Sequence, residues 1–111
     1  MHGFFYPIFK KYIKMKIKDL TQEQLQIATN ILKVIAHPIR MSILSFLEDN
    51  EKLNVTQIQK YLEIEQSVAS HHLGLLRDKG VLKSERVGKK IFYSLRYKNL
   101  TQIVNCVSSI V

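Results

Sequence analysis

The chain has 111 residues, an apolar fraction of 46% and a formal net charge of +8. That length suits one small domain, whose modest core would gain from dimerisation. A single cysteine, Cys106, excludes an intramolecular disulfide, and no run approaches the roughly 18 apolar residues of a membrane span, so we expect a cytoplasmic protein with no membrane contact.

The charge is unevenly placed. Residues 1–18 hold five lysines and no acid; residues 19–65 hold four basic and seven acidic residues, −3; residues 66–98 hold eight basic and two acidic residues, +6. Positive charge gathered in the second half is what a polyanionic partner requires.

Residues 1–18 run from an aromatic stretch into lysines alternating with Tyr12, Ile13, Met15 and Ile17. The basic part follows the apolar part and no small-residue cleavage site appears, unlike a signal peptide. Three readings are open: a loose tail, a short amphipathic segment packing on a dimer or a membrane surface, or a mis-started chain whose true start is Met15. The greater regularity after Leu20 favours the tail or the false start, with residues 19–111 as the domain.

Thr21 is placed as a helix N-cap, and Gln24 completes a capping box. Leu25, Ala28, Ile31, Leu32 and Ile35 follow at helical spacing. This helix is expected to stop near Ala36 or His37, because Pro38 restricts the residue before it and opens the next helix. Ile39, Ile43, Leu44 and Leu47 then form an apolar stripe, and residues 48–52 a polar turn. A third helix is expected from Thr56 to Leu62, with Thr56 and Gln59 at capping-box spacing and Ile58, Tyr61 and Leu62 facing the core. Glu63-Ile64-Glu65 is a tight connection.

The stretch from Gln66 to Lys79 reads as one helix, with Ala69, Leu73 and Leu76 on one face. Its other side shows Gln66, Ser67, Ser70, His71 and Arg77, with the small Val68 and Gly74 among them. A solvated face favours Lys and Glu. These short or planar hydrogen-bonding groups suit the major groove of double-stranded DNA, where they can bond base edges and phosphates. Gly80 ends this helix in a left-handed conformation. Residues 81–86 and 91–96 are β-rich runs joined by Val87-Gly88-Lys89-Lys90, a hairpin with two lysines at or beside its tip. Leu100, Ile103, Val104, Val107 and Val111, widened by Ile110, make a last amphipathic helix. The expected fold is mainly α with a β-hairpin wing, in the order α-α-α-α-β-β-α.

The chain resembles the ArsR/SmtB family of winged helix-turn-helix transcriptional repressors. The resemblance lies in residues 32–44, around Ala36-His37-Pro38-Ile39-Arg40; in Gln66-Ser67-Val68-Ala69-Ser70-His71-His72-Leu73; and in Leu76-Arg77-Asp78-Lys79-Gly80-Val81-Leu82 followed by Arg86 to Lys90 and Tyr93. It covers about residues 20–97. It implies a homodimer formed through the first and last helices, binding to a pseudo-palindromic operator, and release by an effector.

The family's usual metal sites are missing here. Its thiolate sensors carry Cys-x-Cys on the third helix, where this chain has no thiol, imidazole or carboxylate. Its zinc-type site uses Asp, His and Glu on the last helix, where residues 97–111 hold no His and no acid. Zinc takes about four N, S or O ligands, so no metal site and no cofactor is expected. Cys106 is read as a small buried hydrophobe in preference to an intersubunit redox switch. Catalysis is not expected: Ser70 and His71 are adjacent and do not face each other, and no acid is placed to orient the imidazole.

The expected DNA contacts are Gln66, Ser67, Val68, Ser70, His71 and Arg77 from the helix and Lys89 and Lys90 from the wing. His72 sits on the inward side as a supporting core or phosphate-contacting residue, and Arg40 is read as a structural or backbone-contact residue. A second class of function is a winged-helix protein–protein interaction module that binds DNA weakly.

Overall fold

The computed structural model describes residues 19–111, so the expectations for residues 1–18 lie outside the described residues. The expected capping box opens helix α1 (Gln22–Ile35): the Gln24 N–H donates to Thr21 Oγ1 at 3.1 Å, and the Thr21 N–H to Gln24 Oε1 at 2.9 Å. The chain divides after Asn30, and Ile31–Val111 forms one compact unit that carries everything below.

Helix α2 (Pro38–Asp49) begins with Pro38, whose missing N–H would have no helical partner. His37 caps it, its Nδ1 accepting the Ile39 N–H at 3.1 Å. Ile43, Leu44 and Leu47 are buried, as the stripe requires.

The next element departs from expectation. Leu53–Asn54 forms a short strand, β1, and helix α3 (Val55–Leu62) follows it at once. Its cap is Asn54 rather than Thr56. The Gln57 N–H donates to Asn54 Oδ1 and the Asn54 N–H to Gln57 Oε1, both at 2.9 Å. The box therefore sits two residues earlier than Thr56 and Gln59. Asn is as good a cap as Thr, and here its backbone also joins a sheet. Ile58 is fully buried, but Tyr61 is half exposed and lies against Phe46, ring centroids 5.0 Å apart. Glu63 takes φ +53°, the left-handed conformation that turns the chain between the two helices.

Helix α4 (Gln66–Asp78) buries Ala69, His72, Leu73 and Leu76. It ends as expected at Gly80, whose φ of +79° lets the Val81 N–H return to the Leu76 carbonyl at 2.9 Å. Strands β2 (Leu82–Val87) and β3 (Lys90–Leu95) form the wing. The loop is shorter than expected, because Val87 and Lys90 pair as strand residues. Gly88, at φ +66°, takes the first loop position, where a two-residue hairpin favours glycine. The sheet order is β1-β3-β2, with Leu53 opposite Tyr93. β1 is the strand missing from the sequence-based order.

Helix α5 (Leu100–Ser108) buries Leu100, Thr101 and Val104. It stops short of the expected stripe: Val107 is half exposed, and Ile110 and Val111 are open to solvent. Cys106 is exposed, which corrects its reading as a buried hydrophobe. Ile43, Leu44, Ile58, Leu73 and Leu76 have no exposed surface. Burying each such side chain stabilises by about 1.5–3 kcal/mol. That shared core fixes α4 against α2 and α3, with its outer face free.

Candidate nucleic-acid interface

The face of α4 opposite the core is open. Gln66, Ser67, Ser70, His71 and Arg77 are exposed, and Val68 is half-buried. No carboxylate stands on α4 before Asp78. Arg77 lies against Asp78 Oδ1 at 3.1 Å through both Nε and Nη2, so part of its hydrogen-bonding capacity is already used.

The wing brings its lysines back to this helix. Lys89 and Lys90 are exposed and share a groove of about 310 Å³ with Ser70. Asn54, Val55 and Thr56 at the start of α3 and Ile91 and Tyr93 of β3 complete its walls. Gln66, Ser67, Val68, His71 and Arg77 lie outside that lining. Arg86 braces the wing tip, its Nε–H donating to the Gly88 carbonyl at 3.2 Å.

Thr56 has a different role from the expected cap. With the cap at Asn54, Thr56 falls in the first turn of α3, and its exposed side chain faces the groove. First-turn N–H groups of a helix have no helical acceptor and attract phosphate. The Asn54/Gln57 spacing was the signal that could have revealed this, since it satisfies the same capping-box pattern.

His72 faces inward, as expected, and is 6% exposed. Its Nδ1 accepts from Arg40 Nε at 3.2 Å, and Arg40 Nη1 donates to the Val34 carbonyl at 2.9 Å. Arg40 thus takes the structural one of the two roles the sequence left open for it. Burial holds the His72 imidazolium below the ordinary histidine range, reinforced by His37, Arg40 and His71. Among the described residues, no three or more His, Cys, Asp and Glu side chains gather into a cluster that could hold a metal ion. No single helix among them is long and apolar enough to cross a membrane.

A short helix capped from a strand, a left-handed turn and a second helix with an open polar face, followed by a two-stranded wing, define a winged helix-turn-helix nucleic-acid-binding domain. The chain belongs to the arsR family of bacterial regulatory proteins, whose model matches residues 37–84. It is 38% identical to the transcriptional repressor PagR of Bacillus anthracis over 99 residues, 89% of this chain and 96% of that one. The PagR crystal structure superposes with a TM-score of 0.71 at 37% identity, covering 78% of this chain and 99% of PagR. The biofilm growth-associated repressor of Xylella fastidiosa (strain Temecula1) is 31% identical over 96 residues, 86% of this chain and 82% of its own. The transcriptional activator HlyU of Vibrio cholerae is 32% identical over 87 residues, 78% and 79% of the two chains. Fold and membership together make the chain a DNA-binding transcriptional regulator, as the resemblance implied.

Proposed function

We propose that the chain is a homodimeric repressor whose α4 enters the major groove of a pseudo-palindromic operator while its wing meets the flanking backbone. The observation that carries this reading is the groove in which Ser70 of α4, Thr56 of α3 and Lys89 and Lys90 of the wing converge. Ser70 and His71, with Gln66, Ser67 and Val68 ahead of them, meet base edges and the thymine methyl. Lys89, Lys90, Arg77 and the first turn of α3 meet phosphates, which position the helix without reading sequence. Repression is the sense of control named for PagR and for the Xylella relative.

Exposed apolar side chains on the first helix, on the last and just beyond its end support the dimer. Leu32 is 49% exposed, Val107 43% and Ile110 79%. A second copy covering them would set two α4 helices about 34–36 Å apart, one turn of the duplex. The regulator works on DNA in the cytoplasm, without catalysis and without the family's usual metal ligands; its effector is of another kind.

The test is a salt titration of binding to the duplex upstream of its own gene, against a scrambled duplex of the same length. Specific binding that weakens steeply with salt supports the reading. Equal affinity for both duplexes, together with a stable protein complex, would favour an interaction module.

A further inference from the structure

One side chain ties together the three helices behind the reading face. Arg40 on α2 donates through Nη1 to the Val34 carbonyl in the last turn of α1, at 2.9 Å, and through Nε to Nδ1 of His72 on α4, at 3.2 Å. Of the four buried residues of α4, His72 is the one that can ionise. Its ring lies against His37, centroids 4.7 Å apart, and against His71, centroids 5.2 Å apart.

The Arg40 bond fixes the protonation state. A guanidinium N–H can only donate, so His72 Nδ1 must hold a lone pair and the neutral ring carries its proton on Nε2. The groups whose charge acts on His72 are His37 from the elbow between α1 and α2, Arg40 from α2 and His71 from α4; no carboxylate is among them. The other elements against α4 offer Lys60 and Tyr61 on α3 and Lys83, Glu85 and Arg86 on β2, all exposed and none acting on His72. A charged His72 would therefore stand buried beside the Arg40 guanidinium with no anion to offset it.

We propose that Arg40 and His72 form a proton-sensitive latch: neutral His72 holds α4 to the α1–α2 elbow, and a proton on Nδ1 releases it and weakens the chain's grip on duplex DNA. The DNA half of this rests on the function proposed above; the latch itself does not. Protonation removes the acceptor and sets a cation against Arg40. Arg40 keeps the Val34 carbonyl, and α4 loses its tie to the elbow. The device links the proton concentration to the presentation of Ser70 and His71, the neighbours of His72 on the same helix.

The test compares His72→Asn, which keeps an acceptor near the place of Nδ1 and cannot titrate, with its parent. Both carry His71→Ala, so that the exposed imidazole does not contribute. Affinity for the duplex upstream of the chain's own gene and the midpoint of urea unfolding are followed from about pH 7.5 to about pH 5.5. The latch expects the parent to lose ~3–10-fold in affinity as pH falls and the Asn form less than ~2-fold, with the urea midpoint falling more in the parent. Equal slopes in both proteins overturn the latch. A parent-specific fall in the midpoint with unchanged duplex affinity overturns its coupling to DNA. A parent-specific fall in the midpoint with no duplex bound at any pH, either by these proteins or by the unmodified chain with His71 in place, supports the latch and overturns the DNA reading. If the Asn form does not fold, NMR of the unmodified protein decides. The Arg40 Hε and the α4 amides should then shift with the same midpoint as the His72 ring, and unrelated midpoints overturn the proposal.

Discussion

Asn54 and Gln57 exchange two hydrogen bonds of 2.9 Å, each side chain accepting the other's backbone N–H. Asn54 is 7% exposed and its neighbour Leu53 pairs with Tyr93 on β3, so one residue joins the sheet to the first helix of the helix-turn-helix. Asn54→Ala removes the cap and leaves the part-buried Gln57 N–H without its acceptor. We expect a loss of about 1–2 kcal/mol, read from urea unfolding. A loss below about 0.3 kcal/mol would mean the box contributes nothing to the fold.

Leu76 has no exposed surface, and its carbonyl also receives the Val81 N–H at the end of α4. Leu76→Ala should cost about 2–5 kcal/mol, the range for truncating a buried leucine. Replacing the exposed Val107 by Ala should change monomer stability by less than about 0.5 kcal/mol. If Val107 lies in the proposed dimer interface, Val107→Lys should instead raise the dimer dissociation constant by tenfold or more, on the order of 1.4 kcal/mol, in sedimentation.

Gly88 holds φ +66° at the wing tip, and a Cβ there would meet no atom within 4 Å. The cost of Gly88→Ala is therefore conformational rather than steric, about 1 kcal/mol. Hydrogen exchange should show it confined to β2 and β3, with α4 unaffected. Loss of protection in α4 would show that the wing supports the reading helix.

His72 titrates below the ordinary histidine value of 6.5 in the folded chain. The unfolded state therefore binds more protons than the folded state near and below that pH, so stability rises with pH there. The contribution is complete above about pH 6.5 and is lost as pH falls toward and through the lowered folded value. Urea midpoints measured across that window should fall on acidification. A midpoint that rises on acidification would require His72 to be better charged in the fold than out of it.

Much of this fold is legible in the order of the amino acids. Pro38 and Gly80 mark helix boundaries by backbone chemistry alone, and Ala69, Leu73 and Leu76 declare the buried face of α4 by spacing. The miss at Asn54 has a physical cause: Asn54/Gln57 and Thr56/Gln59 both fit the capping pattern, and two residues of strand are too short to show a period of two. Spacing matched to Ile58 puts Tyr61 inside, but the Phe46 ring takes one of its faces and half of the side chain is left to solvent. The tie between His72 and Arg40 crosses 32 positions and no local pattern announces it. Convergence of Ser70 with Lys89 and Lys90 depends likewise on how β3 pairs with β1 at the start of α3, which spacing along the chain does not encode.

The division of labour between helix and wing is tested most directly by comparing two double variants on operator and scrambled duplexes across a range of salt. Ser70→Ala with His71→Ala should cut the operator-to-scrambled affinity ratio by about 1–3 kcal/mol and leave the salt slope unchanged. Lys89→Ala with Lys90→Ala should weaken both duplexes alike and, with two lysines lost from each protomer, reduce the salt slope by about 4 per dimer. An unchanged affinity ratio in the Ser70/His71 variant would contradict the assignment of α4 as the element that reads the sequence.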